Sequence, residues 1–102
     1  MKYAIVAEFD IIPGCEAELE QILRDTARWA LEEEPRCLRF EVIKPTDEHG
    51  QPIPNRLMTN ELFDGFEGVE EHRKSPRTPP RIAAIRKLVA SPTRITHAQL
   101  IA

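Results

Sequence analysis

Apolar and polar residues alternate along the first segment of the chain. Between residues 3 and 11 the odd positions are all apolar, whereas the even positions include Glu8 and Asp10. Alternation at every second residue is typical of a strand that buries one face. The pattern therefore predicts a first strand over residues 3–11, with its odd-numbered side chains turned towards the protein core.

A helical spacing follows the turn that Pro13 and Gly14 predict. Apolar or small residues recur there at steps of three and four, which is typical of an amphipathic helix. These residues are Leu19, Ile22, Leu23, Thr26, Ala27, Ala30 and Leu31. Because a residue that precedes proline disfavours helical backbone, the helix is expected to end before Pro35.

The remaining elements are marked mainly by prolines and glycines. Strands are predicted over residues 38–43 and 56–63, joined by a long proline-rich hairpin loop over 45–55. Asp64 is placed to cap a short helix over 65–74. Prolines at positions 76, 79 and 80 are expected to end that helix, and a second helix over 81–89 and a last strand over 94–101 follow.

This order, β-α-β-β-α-α-β, predicts an α+β fold of the ferredoxin-like βαββαβ type. In it, a four-stranded antiparallel sheet has its helices on one side, within a single domain over residues 1–102. The strictly apolar rows are expected to meet the helices. The mixed rows are expected on the opposite face: Glu8, Asp10, Arg39, Glu41, Thr59, Glu61, Phe63 and His97. Such a face suits a homodimer interface or a ligand cavity closed by a second copy.

Charge and composition exclude several classes of partner. A net charge of −3 without a basic block argues against nucleic acid. No apolar run approaches the roughly 20 residues that span a membrane, and the N-terminal residues lack a signal-peptide layout, so a cytoplasmic protein is expected. Cys15 and Cys37 form no C-x-x-C pair, so both are expected to be reduced thiols.

Two protonatable side chains lie close together along the chain. Burial of Glu61 among apolar strand neighbours is expected to raise its pKa and make it a proton carrier, unless it forms a structural ion pair with Arg39 or Arg56. His72, near the end of the following helix, can exchange a proton with a bound phenol or quinol. Its alternative function is to stabilise a helix C-terminus.

Other candidate groups give weaker signals. His97 in the last strand either binds a ligand or is a structural histidine held by hydrogen bonds. The three histidines have no close metal-ligand spacing, and the four glycines include no G-x-G-x-x-G, so neither a metal nor another cofactor is expected. The acidic run at residues 32–34 is interpreted as a solvated helix end, or as a contact for a partner's arginine.

Three segments resemble the antibiotic biosynthesis monooxygenase family of small dimeric α+β barrel proteins. They are the turn at residues 13–14, the strand entry at 34–42, and the strand and helix at 60–72. The resemblance implies a homodimer that oxidises aromatic polyketides or quinols with dioxygen and without a cofactor. It implies catalytic functions for His72 and Glu61. We expect the substrate-binding residues to be Phe63, Arg39, His97, Phe66 and Thr59.

The chain departs from the family's pattern at three points, so its substrate class can differ. Arg36 stands where glycine is typical, Phe63 replaces a tyrosine or tryptophan, and the 45–55 loop is extended. Two other functions stay open: isomerisation or breakdown of a small metabolite, and non-catalytic ligand binding in a stress response. Contact of Arg39 with an anionic substrate favours the first. A cavity too small for a ring, or a Glu61 consumed by a salt bridge, favours the second.

Overall fold

The computed structural model describes all residues from 1 to 102 and contains four strands and three helices. These elements are β1 (Lys2–Asp10), α1 (Glu16–Glu33), β2 (Cys37–Ile43), β3 (Arg56–Asp64), α2 (Gly65–Lys74), α3 (Thr78–Arg86) and β4 (Arg94–Gln99). The strands form one antiparallel sheet in the order β2-β3-β1-β4. The predicted ferredoxin-like α+β fold is therefore confirmed. None of the helices has both the length and the apolarity needed to cross a membrane.

The largest difference from the predicted elements is at α3. This helix begins at Thr78 rather than at residue 81, and Pro79 and Pro80 lie in its first turn. Proline is tolerated there because the first N–H groups of a helix have no partner within the helix. The helix also ends early, at Arg86. Asp64 occupies the N-cap position of α2 as predicted, but its side chain forms no capping hydrogen bond.

The core lies between the helices and one face of the sheet, in two clusters of buried residues. The first joins β1 and β3 to α1 and to the segment after α3: Ala7, Phe9, Ile11, Leu19, Leu23, Leu57 and Leu88. The second joins the sheet to α1 and α2: Ile5, Ala30, Cys37, Phe40, Phe63 and Val69. The odd-numbered row of β1 therefore faces the helices, as its alternation predicts.

The predicted face of β3 is wrong. Ile5 pairs directly with Glu61, and the neighbouring pairs on the same face are Ala7 with Thr59 and Tyr3 with Phe63. Directly paired residues of antiparallel strands point to the same side of a sheet. Thr59, Glu61 and Phe63 therefore lie on the helix face together with the apolar row of β1, and not on the opposite face.

The predicted face of His97 is also wrong, because His97 pairs with Ile5 and so lies on the helix face. The expected positions of Glu8, Asp10, Arg39 and Glu41 are correct. Their direct partners are Met58, Arg56, Leu62 and Asn60, respectively. We call this second side of the sheet, which no helix covers, the open face.

Close contact between α2 and the sheet depends on a glycine. A Cβ atom at Gly68 would lie 2.9 Å from Cβ of Arg36 and 3.0 Å from Cβ of Phe63. Contacts this short to atoms next to the backbone cannot be relieved by turning a flexible side chain. The missing side chain thus lets α2 lie against β3 and the turn before β2, with Val69 and His72 buried on the same side.

We expect Gly68→Ala to destabilise the protein by about 1–3 kcal/mol, since an added methyl group overpacks this contact. Urea unfolding monitored by circular dichroism measures the change. Glu67→Ala, at an exposed position of the same helix, is the control and should be nearly neutral. Alanine ordinarily stabilises a helix relative to glycine, so a more stable Gly68→Ala protein would contradict the close packing described here.

Candidate functional site

A cavity of about 540 Å³ lies between the helix face of the sheet and the helices α2 and α3. Its volume is in the range that holds a drug-sized or ring-shaped ligand. Much of the wall is apolar, including Ile5, Phe9, Phe40, Ile82, Ile85 and Ile95. Its charged and hydrogen-bonding inner wall is formed by Thr59, Glu61, His72 and Arg81. Ile82 and Ile95 are exposed, so the cavity reaches solvent between α3 and β4.

This position differs from the expected one. The pocket is predicted on the open face, whereas the strand residues that line it lie on the helix face. The physical reason is the β1–β3 register. It places the two polar side chains of β3 opposite Ile5 and Ala7, beneath the gap between the sheet and α3.

Glu61 is a buried carboxyl group with few partners. It is 6% exposed, and its Oε2 accepts a hydrogen bond of 2.8 Å from the Thr59 hydroxyl. Its Oε1 lies 3.8 Å from Nε2 of His72. Burial raises the pKa of Glu61, while the nearby His72, the Thr59 hydrogen bond and Arg81 partly oppose this increase. The expected raised pKa is therefore present.

The alternative ion pairs considered for Glu61 do not form. Arg56 instead pairs with Asp10, with 3.3 Å between Nε and Oδ1, and Arg39 lies on the open face. Glu61 is therefore not neutralised by an arginine, and its carboxyl group remains part of the cavity wall.

His72 is held between two charged side chains. Its Nδ1 lies 2.8 Å from Oε1 of Glu34, and its Nε2 lies 3.3 Å from Nη2 of Arg81. A carboxylate only accepts hydrogen bonds and a guanidinium only donates them. The contacts therefore assign the imidazole proton to Nδ1 and the lone pair to Nε2, on the side of Glu61 and Arg81.

The imidazole is fixed by packing as well as by hydrogen bonds. Its ring centroid lies 5.3 Å from that of Phe63 and 5.9 Å from that of Phe40. The Thr78 hydroxyl donates a hydrogen bond of 2.8 Å to the carbonyl oxygen of His72, which joins the end of α2 to the beginning of α3. This junction brings Arg81, one turn further along α3, back to the imidazole.

Glu34 is a site residue that no sequence pattern signals. The acidic run at residues 32–34 was interpreted as solvated, yet the Glu34 side chain is only 11% exposed because it contacts His72. Glu34 precedes Pro35 and has extended backbone, at φ −109° and ψ 100°, so it leaves the helix to which Glu32 and Glu33 belong. Glu33 forms a bidentate pair with Arg77 of the same chain.

The structure brings together four of the seven predicted site residues. Thr59, Glu61, His72 and His97 all line the cavity. The other three lie elsewhere: Phe63 is fully buried behind His72, Phe66 lines a smaller pocket beside Tyr3, and Arg39 is on the open face. Arg36 and residues 45–55, which depart from the family's pattern, are also absent from the cavity wall.

The cysteines offer no nucleophile to this site. Both are free, and burial together with the charges of Glu34 and Glu61 raises the pKa of Cys37 to about 12. A thiol with such a pKa is almost entirely protonated at neutral pH. No three side chains of His, Cys, Asp or Glu converge in a way that would hold a metal ion.

Comparison with known proteins supports the described fold and the family resemblance of the sequence. The family model described as antibiotic biosynthesis monooxygenase matches residues 2–78. Rv0793 from Mycobacterium tuberculosis is similar over 100% of this chain and 97% of its own, at 20% identity and a TM-score of 0.85.

Two further solved structures show the same fold. A protein from Caulobacter crescentus, provisionally named an antibiotic biosynthesis monooxygenase, is 21% identical over 99% of this chain and 91% of its own, with a TM-score of 0.85. A conserved protein from Methanosarcina mazei is 15% identical over 97% of this chain and 92% of its own, with a TM-score of 0.86. No curated protein matches the chain at a significant level.

We expect Glu61→Gln to increase the free energy of unfolding at pH 7. A raised pKa means that the folded protein binds this proton more tightly than the unfolded chain, whose value is near 4.5. The stabilisation is thus complete below that value and is lost as the pH rises through the folded pKa. Glutamine keeps an oxygen for Thr59 and carries no charge, so its advantage should disappear at pH 4.

Urea unfolding of both proteins between pH 4 and pH 8 measures this difference. Glu18→Gln, at an exposed position of α1 outside the cavity and the open face, is the control and should show a much smaller dependence on pH. A Glu61→Gln protein that is less stable than the native protein at pH 7 would show that the ionised carboxylate is stabilised at this site.

Proposed function

Because this chain belongs to the antibiotic biosynthesis monooxygenase family, we propose that it is a cofactor-independent monooxygenase for a small aromatic or quinol-type substrate. The observation that supports this proposal is the pair formed by His72 and Glu34, 2.8 Å apart, at a cavity large enough for a ring. A histidine oriented by a carboxylate, with its unprotonated nitrogen at the cavity wall, is suited to removing a proton once a bound substrate replaces the 3.3 Å contact of that nitrogen with Arg81.

In the proposed reaction, Nε2 of His72 accepts a proton from an acidic hydroxyl or methylene group of the substrate. Glu34 stabilises the imidazolium that forms, because its carboxylate accepts the Nδ1 hydrogen bond throughout. The substrate anion then reduces dioxygen. One oxygen atom enters the product and the other leaves as water: the ring methylene of an anthrone becomes a carbonyl, whereas in a hydroquinone a ring C–H becomes C–OH and the ring is oxidised to the quinone. The apolar walls limit access of water to the anion.

Glu61 is proposed to orient the substrate rather than to accept the first proton. Its raised pKa favours the protonated carboxyl group, which can donate a hydrogen bond to a substrate oxygen. The Thr59 hydroxyl, at 2.8 Å, fixes the other carboxyl oxygen. The 3.8 Å between Glu61 and His72 leaves the two groups close enough to contact the same bound oxygen.

The two other functions receive less support from the geometry. The cavity is not too small for a ring, and no salt bridge to an arginine or lysine consumes Glu61, which argues against a module that only sequesters a ligand. Isomerisation was favoured by an anion contact at Arg39, but Arg39 is on the open face. Consumption of dioxygen distinguishes the proposed monooxygenase from an isomerase and from a protein that only binds a ligand.

Replacement of His72 tests the proposal directly. We expect His72→Ala to lower kcat for hydroquinones or anthrones by about 10²–10⁴-fold, since general base catalysis contributes a factor of that size. Glu34→Gln should lower kcat less and shift the pH–rate profile, because Glu34 acts by positioning His72. An oxygen electrode measures the rates, and Glu18→Gln, at an exposed position of α1, is the control. Unchanged oxygen consumption in His72→Ala would reject the proposed mechanism.

We also propose that a second copy of the chain covers the open face. Three observations support this. Val6 and Leu62 lie at the centre of that face, Ile43 on the same face is 37% exposed, and no helix of the chain reaches this side. A sheet face with several apolar side chains and few contacts is typical of an interface between subunits.

Val6→Glu should convert the proposed dimer into a monomer, because the buried carboxylate would meet its own copy across the interface. Sedimentation equilibrium at micromolar concentration measures the mass. Leu31→Glu, at a 50% exposed position of α1, is the matched control and should keep the native mass. A native protein that sediments as a single chain would reject the dimer.

A further inference from the structure

The arginines of this chain divide into two groups by their partners. Three of the ten line the cavity, namely Arg73, Arg81 and Arg86, and none of these has a carboxylate oxygen within 4.0 Å. Of the seven elsewhere, only Arg39 lacks such a partner. The paired ones are Arg24, Arg28, Arg36, Arg56, Arg77 and Arg94. Arginines without a carboxylate partner are therefore concentrated at the cavity.

This concentration is not a consequence of overall charge, since the chain carries a net charge of −3. The cavity wall contains three guanidinium groups and one carboxyl group, that of Glu61. Burial raises the pKa of the Glu61 carboxyl group, which disfavours its ionised form. The cavity therefore favours a ligand that carries negative charge.

Arg81 is the cation placed to bind such a ligand. It is half-buried, whereas Arg73 and Arg86 are exposed at the rim. Its one side-chain hydrogen bond is the 3.3 Å contact with Nε2 of His72, so its other N–H groups have no protein acceptor. Desolvation lowers the pKa of Arg81. An anion bound to these N–H groups would offset the cost of removing the guanidinium from water.

We propose that the substrate of this site is an aromatic acid, and that its carboxylate binds Arg81. This inference rests on the proposed function and deepens it. The planar N–H fork of a guanidinium matches the two oxygens of a carboxylate. Because Arg81 also contacts Nε2 of His72, a carboxylate bound to it brings the attached ring close to that nitrogen, between Phe40 and the isoleucines of α3.

Binding of unreactive ring compounds tests the inference without any turnover. The probes are 2-naphthoate, 2-naphthamide and 2-naphthol, which share one ring system and differ in the charge and identity of a single group. Isothermal titration calorimetry at pH 7 gives their dissociation constants with the native protein. We expect 2-naphthoate to bind about tenfold or more tightly than either neutral compound, as a charge-assisted hydrogen bond allows.

Variants then identify the residue. Arg81→Gln should abolish the preference for 2-naphthoate, Arg81→Lys should retain part of it, and Arg39→Gln, the other unpaired arginine, should leave it unchanged. Circular dichroism checks that each variant is folded. A preference that survives in folded Arg81→Gln would overturn the assignment of Arg81.

The native protein alone can also overturn the inference, so it does not depend on any variant folding. Equal binding of 2-naphthoate and 2-naphthamide would exclude recognition of an anion. Binding of 2-naphthol as tightly as 2-naphthoate would exclude recognition of a carboxylate. Neither result bears on oxygen consumption, which tests the proposed function separately.

Discussion

Burial of the Glu61 carboxyl group in the helix-facing row of β3 is the constraint on which the site depends. Removing an ionisable group from water is costly unless hydrogen bonds and opposite charges compensate. Here the compensation comes from the Thr59 hydroxyl and from the proximity of His72 and Arg81. These groups belong to β3, α2 and α3, so one strand and two helices all contribute side chains that lie close to the buried carboxyl group. A register shifted by one residue would replace it with Asn60 or Leu62.

The site also requires that α2 lie close to the sheet, because this places His72 against the residues of β2 and β3. Gly68 permits it, and one turn further along the helix His72 lies against the rings of Phe63 and Phe40. Glu34 reaches the same imidazole from the end of α1. The orientation of the histidine is therefore determined by elements distant in the sequence, which agrees with the general observation that precise sites are supported by rigid secondary structure.

Much of the fold follows from the sequence, but the site does so only in part. The alternation in β1 and the helical spacing in α1 are local patterns, and they predict both elements and the buried face of β1. In β3, however, the rows that begin at Leu57 and at Met58 are each half apolar, so only the long-range pairing with β1 decides which is buried. Glu34 and Arg81 were missed for a similar reason. Each meets His72 through tertiary contacts, and neither belongs to a motif that signals a histidine partner.

The chemical state of Cys37 has a consequence for the proposed reaction with dioxygen. Peroxide and superoxide that escape from such chemistry attack thiolates, and the lasting products are sulfinic and sulfonic acids. The Cys37 sulfur lies in the buried cluster with Phe63, yet its pKa of about 12 leaves almost no thiolate at neutral pH. Burial, together with the carboxyl groups that surround the imidazole, thus keeps the adjacent sulfur in its least oxidisable form, which would protect it during the proposed reaction without any dedicated residue.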